Sequence, residues 1–162
     1  MDAFQVQLNT LLKEIYWNIQ KVQEDFVRRV GCADITMSEM HILEVIGDAS
    51  AETRSADETP HGLRISDIAA ALNVTLPTVT VAIKKLAEKQ CVKKVRCKED
   101  GRQVDVIMTE LGEEIYHRHE RFHQRMVGEI AHCLSPEETA VMLKAFENIN
   151  VFFRAKLMQE TK

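Results

Sequence analysis

The stretch from Ile65 to Val106 constrains this chain more than any other. Ile68, Ala69 and Leu72 recur at helical spacing behind Ser66, which stands where an N-cap is expected. Asn73-Val74-Thr75 interrupts that helix. Thr75 is placed to cap a second helix, with Pro77 in its first turn, where a missing N–H does no harm. On the second helix Val79, Ala82, Ile83 and Leu86 share one face, and Pro77, Thr78, Thr80, Lys84 and Lys85 share the other. Val92–Cys97 and Gln103–Met108 then read as strands, and the charged run from Lys98 to Arg102, with its glycine, suits a hairpin turn between them. This order is a helix-turn-helix followed by a β-hairpin wing. Its second helix is free to bury one side while the other meets a polar partner.

Charge is distributed to match. The chain has 162 residues and a net charge of −4, which alone speaks against a nucleic-acid partner. Between Leu63 and Met108, however, nine Lys and Arg stand against five Asp and Glu, a local net of +4 that leaves −8 for the rest. From Val79 to Lys98 seven basic residues are opposed by Glu88 alone. A basic surface on an acidic molecule engages phosphates at that surface only. Threonine hydroxyls reach base edges and lysines reach phosphates, so Thr75, Pro77, Thr78, Thr80, Lys84 and Lys85 are the candidate contacts to double-stranded DNA. Arg102, at the wing tip, is placed for a minor groove, and Asp100 is placed to hold an arginine side chain in position. A solvated helix face and an exposed ion pair are the bland alternatives. The coincidence of charge with motif favours DNA.

The flanks read as helices. Phe4, Leu8, Leu11, Leu12, Ile15, Ile19, Val22 and Phe26 predict an amphipathic helix of about 25 residues, whose stripe in so short a chain calls for a second subunit. Thr36-Met37-Ser38-Glu39 has capping-box spacing, and Met40, Ile42, Leu43 and Ile46 continue as a short helix expected to stop at Gly47. Asp48–Gly62 is polar and aperiodic, a loop without an evident chemical role, and Gly62–Ile65 forms one short strand. Thr109 starts a helix through Ile115, Phe122 and Ile130, and Ser135-Pro136-Glu137-Glu138 starts a last one through Phe146 and Phe153. The expectation is one domain over 1–162, mainly α with a small β wing. The winged helix-turn-helix covers 63–108, and long N- and C-terminal dimerisation helices cover 1–30 and 110–160.

Other classes fit poorly. Apolar residues at 45% and charged residues at 28% belong to a globular chain. No apolar run reaches membrane length and the N-terminus carries no signal-peptide pattern, so no membrane partner and a cytoplasmic location are expected. Cys32, Cys91, Cys97 and Cys133 show no CxxC spacing, which favours reduced thiols over a disulfide frame. A redox switch at Cys32, Cys91 or Cys97 would need access and a lowered pKa; an inert cysteine is the plainer reading. There is no phosphate-binding glycine loop, nucleophile elbow or paired acid–base motif, so neither catalysis nor a cofactor is expected.

Asp100-Gly101-Arg102, the strand after it, and Met108-Thr109-Glu110-Leu111-Gly112 together resemble the Asp-x-Arg wing and Leu-Thr-x-x-Gly helix start of the MarR family of dimeric transcriptional regulators. The resemblance runs from about Phe4 to Phe153. Within that family, Ser38-Glu39-Met40-His41, Val74-Thr75-Leu76-Pro77-Thr78-Val79-Thr80 and the run from Arg121 to Val127 resemble the FabT-type repressors of fatty-acid synthesis genes. The likeness implies a homodimeric repressor on a pseudo-palindromic operator, with half-sites roughly 34–36 Å apart. It also implies a small-ligand signal, a long-chain acyl group delivered on acyl carrier protein. Two features depart from the pattern: Asp48–Gly62 is longer, and Gly101 stands where an arginine is common. The family's zinc-responsive members imply an alternative, a metal set drawn from Glu24, Cys32, His41, His119 and His123, of which His119 and His123 share a helical face.

Overall fold

The computed structural model describes residues 1–30, 35–53, 62–96 and 104–160. Cys32, Cys97, Asp100 and Arg102 lie outside the described residues. The chain divides into two units, Met1–His119 and Glu120–Lys162. No single described helix is long and apolar enough to cross a membrane.

The first unit opens with α1 (Ala3–Val30) and α2 (Met37–Thr53). The capping box forms as its spacing predicts: Thr36 N–H donates to Glu39 Oε2 at 2.7 Å, and Glu39 N–H donates to Thr36 Oγ1 at 3.3 Å. Gly47 does not stop α2, which continues to Thr53, so Asp48 and the five residues after it are helical rather than loop. The glycine answers a packing demand instead. A Cβ there would collide with the ring of Tyr116, whose hydroxyl donates to Asp48 Oδ1 at 2.9 Å.

A short strand, β1 (Leu63–Arg64), leads directly into α3 (Ile65–Leu72). The expected cap at Ser66 does not form. Arg64 occupies the N-cap position without a side-chain bond, and the Ser66 hydroxyl donates to Asp67 at 3.3 Å. The reason is tertiary: β1 is paired antiparallel to β3 (Val104–Met108), which holds the backbone extended through Arg64. Asn73, at φ 52°, closes α3, a left-handed position that asparagine tolerates. Thr75 then caps α4 (Leu76–Glu88), accepting from Thr78 N–H. β2 (Val92–Arg96) pairs with β3, with Lys94 opposite Val106. The sheet order β1-β3-β2 leaves β2 at an edge, where exposed Lys93, Lys94 and Arg96 discourage strand addition.

The core gathers Met40, Leu43 and Ile46 from α2, Ile68 from α3, Val79, Ile83 and Leu86 from α4, and Val106 from β3. Where α4 hands over to the wing, Cys91 N–H donates to Leu86 O at 2.9 Å, and Thr109 N–H donates to Cys91 O at 3.0 Å. The Thr109 hydroxyl donates to Gln90 O at 2.6 Å and accepts from Gly112 N–H at 3.2 Å. Thr109 thereby caps α5 (Glu110–His132) and ties its start to the root of the wing.

A second tie joins α2 to the end of α4. Lys89 Nζ lies 2.7 Å from Glu39 Oε2, with the Glu39 side chain 3% exposed and that of Lys89 23%. Burial works against the charged form of Glu39, but the Lys89 ammonium together with the N–H and hydroxyl of Thr36 outweighs it and holds the carboxyl below its ordinary value. A depressed carboxyl pKa adds stability that is present above the ordinary carboxylate range and is lost as pH falls through the folded value. Lys89→Met, which strands a buried charge, is expected to cost about 3 kcal/mol at neutral pH. Glu39→Gln is expected to cost less, about 1–2 kcal/mol, because Lys89 can turn to water. In thermal melts the gap between wild type and Glu39→Gln should narrow on acidification.

The second unit holds the remainder of α5 and α6 (Pro136–Glu160). Ser135 starts α6 as expected: Ser135 N–H donates to Glu138 Oε2 at 2.8 Å, and Glu138 N–H donates to Ser135 Oγ at 3.2 Å. No described side chain of this unit is buried, and Phe146, Phe152 and Phe153 are each more than half exposed. The described side chains of α1 are likewise unburied, including the stripe from Phe4 to Val22. Apolar surface on this scale marks an interaction face.

Candidate nucleic-acid interface

The two faces of α4 separate as the sequence predicts. Val79, Ile83 and Leu86 are at most 1% exposed against the core. Thr75, Pro77, Thr78, Thr80, Lys84 and Lys85 are all exposed. Lys84 stands 4.0 Å from Glu88, both well solvated, a contact too weak to withhold the ammonium from a phosphate. Lys93, Lys94 and Arg96 extend the positive surface along β2.

The threonine hydroxyls also bond within the helix. The Thr75 and Thr78 hydroxyls share a 2.8 Å hydrogen bond, and Thr75 Oγ1 also accepts from Thr78 N–H. The Thr80 hydroxyl donates to Leu76 O at 2.8 Å. These bonds tie the hydroxyls to the helix start and leave them acceptor lone pairs, with one proton over in the Thr75–Thr78 pair. Val81, to which sequence reasoning gave no role, is 56% exposed on the same outer side. A helical wheel would have flagged it as an apolar residue among polar ones.

Beside α4 lies a cleft of about 160 Å³ lined by Ser38, His41, Ile42, Leu72, Val74, Thr78, Val79 and Ala82. His41 opens onto this cleft and is exposed, not packed in the core. A space of this size takes a single ring, far less than a long acyl chain.

His119, by contrast, is buried. Its Nδ1 lies 2.9 Å from Glu44 Oε1, and the Phe26 ring approaches edge-on at a centroid distance of 5.0 Å. A carboxylate of α2 thus stands beside His119. His123 follows one turn later in α5. Cys91 is wholly buried with its thiol on Lys89 O at 3.4 Å, which denies an oxidant access.

Residues 32–119 match the family model described as transcriptional regulator SarA/Rot. The chain belongs to the SarA/Rot family of transcriptional regulators. Its winged helix-turn-helix aligns with MarR-family structures. FabT of Streptococcus pneumoniae, solved in complex with DNA, is 31% identical, with a TM-score of 0.75 over 93% of this chain and 98% of that one. S. aureus MepR, in its DNA complex, is 21% identical with a TM-score of 0.66 over 90% and 98%. The adhesin competence repressor AdcR of Streptococcus pyogenes is 20% identical with a TM-score of 0.64 over 96% and 98%. The latter two bear on the fold alone. Among curated proteins nothing matches the chain. The family regulates transcription; it is not a family of enzymes.

Proposed function

We propose that this SarA/Rot-family chain is a homodimeric, cytoplasmic repressor. It binds a pseudo-palindromic DNA duplex by seating α4 in the major groove and the wing against the minor groove. The observation that carries this reading is the outward face of α4. Thr75, Pro77, Thr78, Thr80, Lys84 and Lys85 all stand exposed there, beside the basic edge of β2, on a chain whose net charge is −4. Asp100 and Arg102 would act at the wing tip. The DNA complex of FabT supports the same use of the fold. The uncovered stripes of α1 and α6 support a dimer, which would set two α4 helices one helical turn of DNA apart. Fluorescence anisotropy across a salt series tests the interface: affinity should fall steeply with salt. A salt-insensitive affinity, or none for any duplex at low salt, would remove it.

The effector in this reading is a long-chain acyl group on acyl carrier protein, which tightens operator binding. A second reading has a specific observation behind it. Buried His119, with the half-buried Glu44 carboxylate 2.9 Å from its Nδ1, offers nitrogen and oxygen donors of the kind zinc takes, and in this reading His123, His41, Glu24 and Cys32 would supply the rest. Native mass spectrometry of untagged protein separates the two. A dimer retaining lipid, or gaining operator affinity with acyl-carrier protein, supports the first; stoichiometric zinc supports the second.

A further inference from the structure

The middle of the outward face of α4 is apolar. Val81 follows the fully buried Val79 by two residues, which turns it roughly 200° around the helix, away from the core. It is 56% exposed, with Pro77 one turn before it and Lys84 and Lys85 about one turn after. A β-branched residue brings no helix propensity to a solvated position. The neighbouring hydroxyls are committed in part to the helix itself. That of Thr80 gives its proton to Leu76 O, and those of Thr75 and Thr78 are bonded to one another at the helix start, while each threonine also carries a methyl branch. The centre of the face therefore carries one large exposed apolar side chain, Val81, with lysines at its margin.

Base edges in the major groove present donors and acceptors, and one apolar group, the 5-methyl of thymine. We propose that Val81 is a specificity-determining residue that reads a thymine 5-methyl in each half-site by direct apolar contact. The inference rests on α4 being the helix that enters the groove. Lysines at the margin grip phosphates whatever the sequence. Val81 favours a T·A pair over a C·G pair at one step, because cytosine offers no methyl and places an amino group nearby.

The test uses the full chain and a duplex that it selects from a random-sequence library. Each thymine is replaced singly by uracil, which removes the methyl and leaves base pairing intact. Wild type should lose about three- to tenfold in affinity at one thymine per half-site and little elsewhere. Val81→Ala, at an exposed position, should melt as wild type does. It should bind the unmodified duplex more weakly by a similar factor and be indifferent to uracil at that thymine. Two results would overturn the proposal while leaving the DNA-binding reading intact: a wild type insensitive to every thymine-to-uracil change, or a Val81→Ala variant that keeps the wild-type pattern of sensitivity. Selection of no duplex at all would overturn both.

Discussion

Gly112→Ala is expected to lower stability by about 2–3 kcal/mol, and the midpoint of thermal unfolding by roughly 5–10 °C. Gly112 is buried in the first turn of α5, and a Cβ there would overlap the carbonyl oxygen of Cys91. That carbonyl has no room to retreat, because it accepts the Thr109 N–H at 3.0 Å while Thr109 also donates to Gln90 O. Gln90 itself is held at φ 60°, so strain at this junction passes into the turn between α4 and β2. The wing should shift relative to α4, and DNA affinity should fall together with stability. Gly128→Ala is the matched control: its Cβ would meet nothing within 4 Å, in a solvated helix, so it should raise stability by about 0.5–1 kcal/mol. Calorimetry on both variants checks the pair. A neutral Gly112→Ala would mean that the glycine of this helix start has another purpose than close approach.

That junction also marks where sequence reading stopped. Local devices were legible: the capping boxes at Thr36 and Ser135, the Thr75 and Thr109 caps, and the two wing strands over their described residues. Each is a short-range hydrogen bond or a two-residue period, written in neighbouring letters. What was missed is set by partners far along the chain. Gly47 reads as a helix stop until Tyr116 packs on it. Ser66 reads as a cap until the pairing of β1 with β3 fixes the helix start two residues earlier. Glu39 is fifty residues from Lys89, and Glu44 further still from His119, so no periodicity could have paired them. In the candidate site the sequence shows which residues share a face of α4. It does not show that three threonine hydroxyls also bond within the helix there, nor that Val81 stands exposed among them.

Replacing Lys84 and Lys85 together with alanine is expected to weaken DNA binding about a hundredfold at moderate salt, and to do so on operator and random duplex alike. Both side chains are exposed, and the contact of Lys84 with Glu88 is a solvated one, so the fold should be indifferent to their loss. In a dimer the double variant removes four positive charges from the face presented to DNA. If each neutralises a phosphate, the slope of log affinity against log salt should become shallower by about 3–4. This signature differs from that of Val81→Ala, whose effect should depend on a single methyl and leave the salt slope unchanged. The two variants thus separate grip from reading on one helix. If the lysine pair altered sequence preference while leaving the slope intact, they would be contacting base edges, and the division of labour along α4 would have to be reversed.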